Sequence, residues 1–78
     1  MNTPTVEIGG IYKHYKGNLY KVLDIAKSSD NLADYVFYEC LYANSLGQKW
    51  IRSLQEFTGT LEVDGKQVTR FALQNSVG

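Results

Sequence analysis

Turn-forming residues cut this sequence into pieces too short for anything but strands and a single helical turn. Gly9-Gly10, Lys16-Gly17-Asn18, the polar stretch from Ser28 to Ala33, Asn44-Ser45-Leu46-Gly47, Gly59 and Asp64-Gly65 all break it, because Gly, Asn and Asp reach backbone conformations that end regular structure. The runs between them are rich in β-branched and aromatic residues. They are Ile11 to Tyr15, Leu19 to Lys27, Asp34 to Ala43, Gln48 to Arg52, Thr60 to Val63 and Gln67 to Phe71, and each is expected to be a strand. The run from Asp34 to Ala43 is long enough for a helix, but its content of Tyr, Val and Phe favours a strand.

Two local features refine this pattern. Alternation fails in the middle of Leu19 to Lys27, which predicts a bend or bulge near Asp24 that turns its carboxylate outward. Ser53-Leu54-Gln55-Glu56-Phe57 spaces its apolar residues three apart and sets Glu three residues after Ser, so one helical turn is expected there. Asp64-Gly65 signals a two-residue hairpin.

A chain of 78 residues makes one domain and buries only about 60 % of its unfolded surface. Such domains often need a staple, yet Cys40 is the single cysteine and no Cys, His or carboxylate cluster has metal-ligand spacing. No metal and no cofactor are expected. The core must come from apolar and aromatic side chains. Eight basic and eight acidic residues cancel, so the broad positive field that drives non-specific nucleic-acid binding is missing. No apolar run is long enough to span a membrane, the N-terminus lacks signal-peptide character, and a lone thiol suits a reducing compartment. A cytoplasmic location is expected.

Four strands, one helical turn and a further strand predict an all-β fold. Its expected form is a small five-stranded SH3-like barrel with one helical turn before the last core strand and a C-terminal edge strand. Residues 1–8 are expected to be a flexible lead-in, 9–71 the barrel and 72–78 a fraying tail.

The block from Gly10 to Val22 reads G-x-Y-x-H-Y-K-G-x-x-Y-x-V when its variable positions are left open. Val36 with Tyr38, Leu41-Tyr42, Trp50 with Arg52, Phe57, Val63-Asp64-Gly65-Lys66 and Arg70-Phe71 follow in order. Over residues 10–71 the chain resembles a bacterial family of small proteins, domain-of-unknown-function family 1653 (DUF1653). It departs from that pattern at Lys27-Ser28-Ser29-Asp30, at Ser53 and at Thr69. The resemblance implies an SH3-type barrel and no assigned activity.

Six tyrosines, three phenylalanines and one tryptophan are too many rings for the core of so small a barrel. Some are expected outside, next to cationic side chains, where such residues form binding hot spots. The alternative is that they cover the barrel ends. Trp50 and Arg52, two apart, share a face of their strand, with Ile51 turned into the core. They either present a flat plate and a fork of donors to a ligand or stack on each other to close the barrel. His14, the only histidine, shares a face with Tyr12. It is either a hydrogen-bonding group of a recognition surface or a half-buried imidazole tied to a loop. Arg70-Phe71 repeats the cation–aromatic theme, or anchors an edge strand. Lys13, Lys16, Lys21 and Lys27 make the first third basic, which scattered solvated lysines explain best.

The candidate ligand-binding residues are therefore Tyr12, His14, Tyr42, Trp50, Arg52 and Arg70, with no catalytic residue. The expected function is recognition of a protein or peptide. Single-stranded nucleic acid, bound by stacking on the same surface, is the alternative. A small enzyme built on His14 and Cys40 is the weakest reading, because the two are expected to lie apart. No membrane partner is expected, and the chain should be a monomer or a weak homodimer through its C-terminal edge strand.

Overall fold

The computed structural model describes residues 5–74. Seven strands and one short helix follow in the order β1 (Ile11–His14), β2 (Leu19–Lys27), β3 (Asp34–Cys40), β4 (Lys49–Ser53), α1 (Leu54–Phe57), β5 (Thr60–Val63), β6 (Lys66–Thr69) and β7 (Phe71–Gln74). All pairings are antiparallel. One sheet has the order β4-β3-β2-β1-β7, and β5 pairs with β6 in a separate hairpin.

The local signals in the sequence do what their chemistry requires. Gly17, at φ 109°, lets the chain reverse between β1 and β2, and the His14 amide then bonds the Asn18 carbonyl at 2.8 Å. Asp64 and Gly65 both take positive φ, 52° and 79°, as a type I′ turn demands. Ser53 caps α1 by accepting the Glu56 amide at 3.2 Å. In β2 the register against β3 slips between Val22 and Asp24. The extra residue, Leu23, keeps Tyr20 and Val22 on the inner face and then brings Ile25, opposite Val36, to the same face. Asp24 stays outside, where its carboxylate accepts the Ile25 amide at 2.8 Å.

The core lies on the inner face of this sheet. Tyr12, Val22, Val36, Tyr38 and Phe71 meet Leu54 and Phe57, which α1 lays across them. Phe57 stacks flat on Phe71, with ring centroids 4.0 Å apart, and takes the edges of Tyr12 and Tyr38 at 5.3 Å each.

The sheet has the expected five strands, but its fifth member is not β5. Ala72 to Gln74, expected to fray, join Phe71 in β7, with Phe71 opposite His14 and Leu73 opposite Tyr12. The edge strand expected over Gln67–Phe71 is split. Its first part, β6, pairs with β5, and the chain turns at Arg70 to run along β1. Arg70 anchors that turn at both ends, since its amide bonds the Gly59 carbonyl at 3.0 Å and its carbonyl accepts the Tyr15 amide at 3.0 Å. Among the described residues no ladder joins the β4 and β7 edges. Ahead of β1, Val6 packs on the core, and the Glu7 amide donates to the Tyr12 hydroxyl at 2.9 Å. Residues 1–4 and 75–78 of the expected lead-in and tail lie outside the described residues.

Gly59 follows α1 where the backbone has no room for a side chain. A Cβ there would stand 2.9 Å from the Gln55 carbonyl oxygen. Gly59→Ala is expected to cost about 1–3 kcal/mol, the usual range for forced overpacking, read as a lower urea midpoint.

Candidate functional site

The face of β4 is set by its pairing with β3. Trp50 stands opposite Tyr38 and Arg52 opposite Val36, and both β3 partners are buried on the inner side. Side chains directly across a ladder share a face, so Trp50 and Arg52 also turn inward. Trp50 packs against the core. Ile51 is paired with Phe37 on the outer face and is 67 % exposed. This corrects the expectation that Ile51 enters the core and that Trp50 and Arg52 stand outside it.

Trp50 and Arg52 line a cleft of about 230 Å³ with Tyr20, Tyr38, Tyr42 and Asn44. β2 supplies Tyr20, β3 supplies Tyr38, and the loop after β3 supplies Tyr42 and Asn44. The Tyr20 and Tyr42 hydroxyls share a hydrogen bond of 2.7 Å. The Tyr20 ring meets Tyr38, Tyr42 and Phe71 edge to face at 5.4–5.6 Å. Burial, and then the bond to Tyr42, push the Tyr20 phenol well above its ordinary pKa. Tyr20 therefore stays neutral, and of the two hydroxyls one donates in the bond they share and one is left as a further donor. Asn44 braces the loop, its side-chain oxygen accepting the Leu46 amide at 2.9 Å.

Two donors on residues that line this cleft have no partner. The indole Nε1 of Trp50 and the Nε of Arg52 are both buried without a hydrogen bond. A buried polar group left unpaired costs about 1–3 kcal/mol. Arg52 reaches one acid, Glu56, one turn along α1, with Nη1 3.6 Å from its carboxylate, beyond normal hydrogen-bond length. No Asp or Glu lines the cleft.

The structure divides the six residues singled out from sequence. Tyr42, Trp50 and Arg52 meet in the cleft. Tyr12 does not, being 7 % exposed and packed on Phe57, with its hydroxyl used by the Glu7 amide. It is a core residue. His14 is half-buried on the same face, its ring 5.0 Å from Phe71 and 6.3 Å from Tyr20. Its Nδ1 accepts the Lys16 amide at 3.2 Å, the loop-tied arrangement. Arg70 is half-buried at the β6–β7 turn, close enough to act on His14. Sequence reasoning missed Tyr20, Tyr38 and Asn44. Tyr20 was legible through its shared face with Val22, but Asn44 looked like any hairpin residue.

Burial lowers the His14 pKa below its ordinary 6.5, and the charges of Arg70, Arg52 and Lys16 lower it further. The unfolded chain then binds a proton more readily than the folded one. Stability is complete above about pH 6.5 and falls as the pH drops from there toward the depressed value. Melting temperatures between about pH 7.5 and pH 5.5, above the carboxylate range, should therefore decline in the wild type and stay flatter in His14→Gln. Equal slopes in the two proteins would contradict this.

His14 and Cys40 are not joined. The buried Cys40 thiol turns to the Tyr42 and Gly47 carbonyls at 3.4 and 3.7 Å, and no hydrogen bond links it to the imidazole. Among the described residues no three His, Cys, Asp or Glu side chains gather as metal ligands, and no helix is long and apolar enough to cross a membrane. Lys27 is paired with Asp34 at 2.8 Å, and Lys13 and Lys21 are exposed.

The fold and its cleft describe a small all-β protein with an aromatic, arginine-bearing recess. The chain belongs to the family described as protein of unknown function (DUF1653), whose model matches residues 10–73. It is similar to a crystal structure of a protein of that family from Bordetella bronchiseptica, at 30 % identity and a TM-score of 0.79, over 90 % of each chain. No curated protein is detectably similar to it.

Proposed function

We propose that the chain is a binding module without catalytic activity, which takes a segment of protein or peptide into the cleft between Tyr20, Tyr42, Trp50 and Arg52. The observation that supports this is the pair of unpartnered donors, Trp50 Nε1 and Arg52 Nε, beside a wall of tyrosine rings. A domain this small gains little from leaving two buried donors unmet, whereas a ligand that meets them gains orientation as well as apolar contact. We read the architecture as SH3-like and the protein as bacterial and cytoplasmic, in keeping with its relative and its single buried thiol. It acts as a monomer, or as a weak dimer through the β7 edge.

A displayed library of random peptides tests the binding reading, with wild type, Arg52→Gln and an outer-face control, Ile51→Lys. Selected peptides should bind wild type and Ile51→Lys alike and bind Arg52→Gln at least about tenfold more weakly, a loss of about 1.4 kcal/mol. Melting curves would confirm that both variants fold. Loss of binding in Ile51→Lys alone would move the site to the outer face. Retention of single-stranded oligonucleotides that weakens steeply with salt would favour nucleic acid instead.

A further inference from the structure

Every polar side chain of the cleft carries a donor. Trp50 offers an indole N–H, Arg52 offers its Nε–H, and the Tyr20–Tyr42 pair keeps one hydroxyl proton beyond the one it shares. Asn44 has committed its side-chain oxygen to Leu46, which leaves its amide N–H groups. No carboxylate lines the recess. The fork of Arg52 is half engaged. Glu56 lies toward Nη1 at 3.6 Å, so the Nε–Nη2 edge, the edge that takes a planar carboxylate side-on, has no hydrogen bond among the described residues.

We propose that the ligand segment is held in this cleft by a carboxylate, which lies on the Nε–Nη2 edge of Arg52 with the Trp50 indole N–H as a further donor. This rests on the peptide-binding reading and names the group that such a peptide must carry. Two points favour a carboxylate over a phosphate. The recess has one guanidinium and no second cation in its lining, and Glu56 already draws on that charge, so a singly charged group is better matched there than a doubly charged one. The donors of Arg52 lie in one plane, as carboxylate oxygens do. Arg52 has a side chain 32 % exposed, and its flexible stem lets the fork turn to meet an incoming group.

Trp50 is the one tryptophan, so its indole N–H gives a single resonance in a nitrogen-15 correlation spectrum of the whole chain. Four probes separate the outcomes: acetyl-Gly-Phe with a free C-terminus, the same dipeptide amidated, acetyl-Asp-Phe-amide, and inorganic phosphate. The expected result is a saturable shift with at least one of the two carboxylate-bearing peptides, at an affinity about tenfold or more above that of the amidated acetyl-Gly-Phe. Which carboxylate works better tells a chain terminus from an acidic side chain. Arg52→Gln should remove the preference, and Arg52→Lys, which keeps the charge but loses the fork, should weaken it and guards against a fold defect in the first variant. Equal binding of the neutral amide would overturn the carboxylate and leave the peptide reading standing. A larger response to phosphate would also overturn it, and silence with every peptide would overturn both.

Discussion

Ending the chain at Arg70 is expected to leave it unfolded at 25 °C. The cut removes only the last strand and the few residues after it, but it takes away Phe71. That ring stacks on Phe57 at 4.0 Å and meets the edges of Tyr38, Tyr20 and His14. Removing a buried phenylalanine costs about 3–5 kcal/mol. The cut also strips β1 of one of its two neighbours and opens Tyr12 to water from the Leu73 side. A domain of this length has about 4–12 kcal/mol in total, so the combined loss takes most or all of it. Circular dichroism should show no cooperative melt, while a chain ending at Gln74 should melt close to full length. A folded chain ending at Arg70 would mean that β7 is an accessory.

Phe57→Ala carries the second large effect. Phe57 is 1 % exposed, sits at the end of a helix of only four residues, and touches Tyr12, Tyr38 and Phe71 together. Its loss leaves a cavity that strand residues cannot close without giving up their ladders, so the expected cost is about 3–5 kcal/mol. Ile51→Ala provides the contrast. Ile51 is also a large apolar residue of the same region, but it lies outside, and its truncation should change stability by no more than about 0.5 kcal/mol. Urea denaturation of the two variants side by side measures both. Similar losses in the two would contradict the face assigned to β4.

That assignment shows where the sequence stopped being readable. Signals carried by neighbouring residues came through. The Asp64-Gly65 turn, the Ser53 cap and the slip at Leu23 each depend on a few adjacent positions whose chemistry allows one conformation. The face of Trp50-Ile51-Arg52 could not be settled in this way. One aliphatic residue between an aromatic and a cation fits either orientation, and the choice falls to the register with β3, where Val36 and Tyr38 are buried. A pairing between distant segments is not encoded in the segment itself. β7 was lost for the same reason. Phe71-Ala72-Leu73-Gln74 alternates, but it is short and ends close to the terminus, and its partner β1 lies far off in sequence.

The tyrosines were hard to place because a phenol suits either a core or a surface. Of the six, Tyr15 alone is exposed. Tyr12 and Tyr38 are core, and Tyr20, Tyr35 and Tyr42 are half-buried. The surplus of rings inferred from composition is real in part, but most of it faces inward, around a recess, rather than forming an outer plate. Tyr42, Trp50 and Arg52 were recognised as candidates although the face expected for Trp50 and Arg52 was wrong, because residue type alone singles them out as binding groups.

The central claim is that ligand recognition belongs to the inner face of the sheet, at the Trp50–Arg52 recess, and not to the outer face around Phe37 and Ile51. A backbone and side-chain chemical-shift map, recorded during titration with the tightest peptide from the displayed library, measures this directly. The account predicts that the largest changes fall on Tyr20, Tyr42, Asn44, Arg52 and the Trp50 indole, with Phe37 and Ile51 little moved. Changes centred on Phe37 and Ile51, or spread evenly over the whole chain, would contradict it.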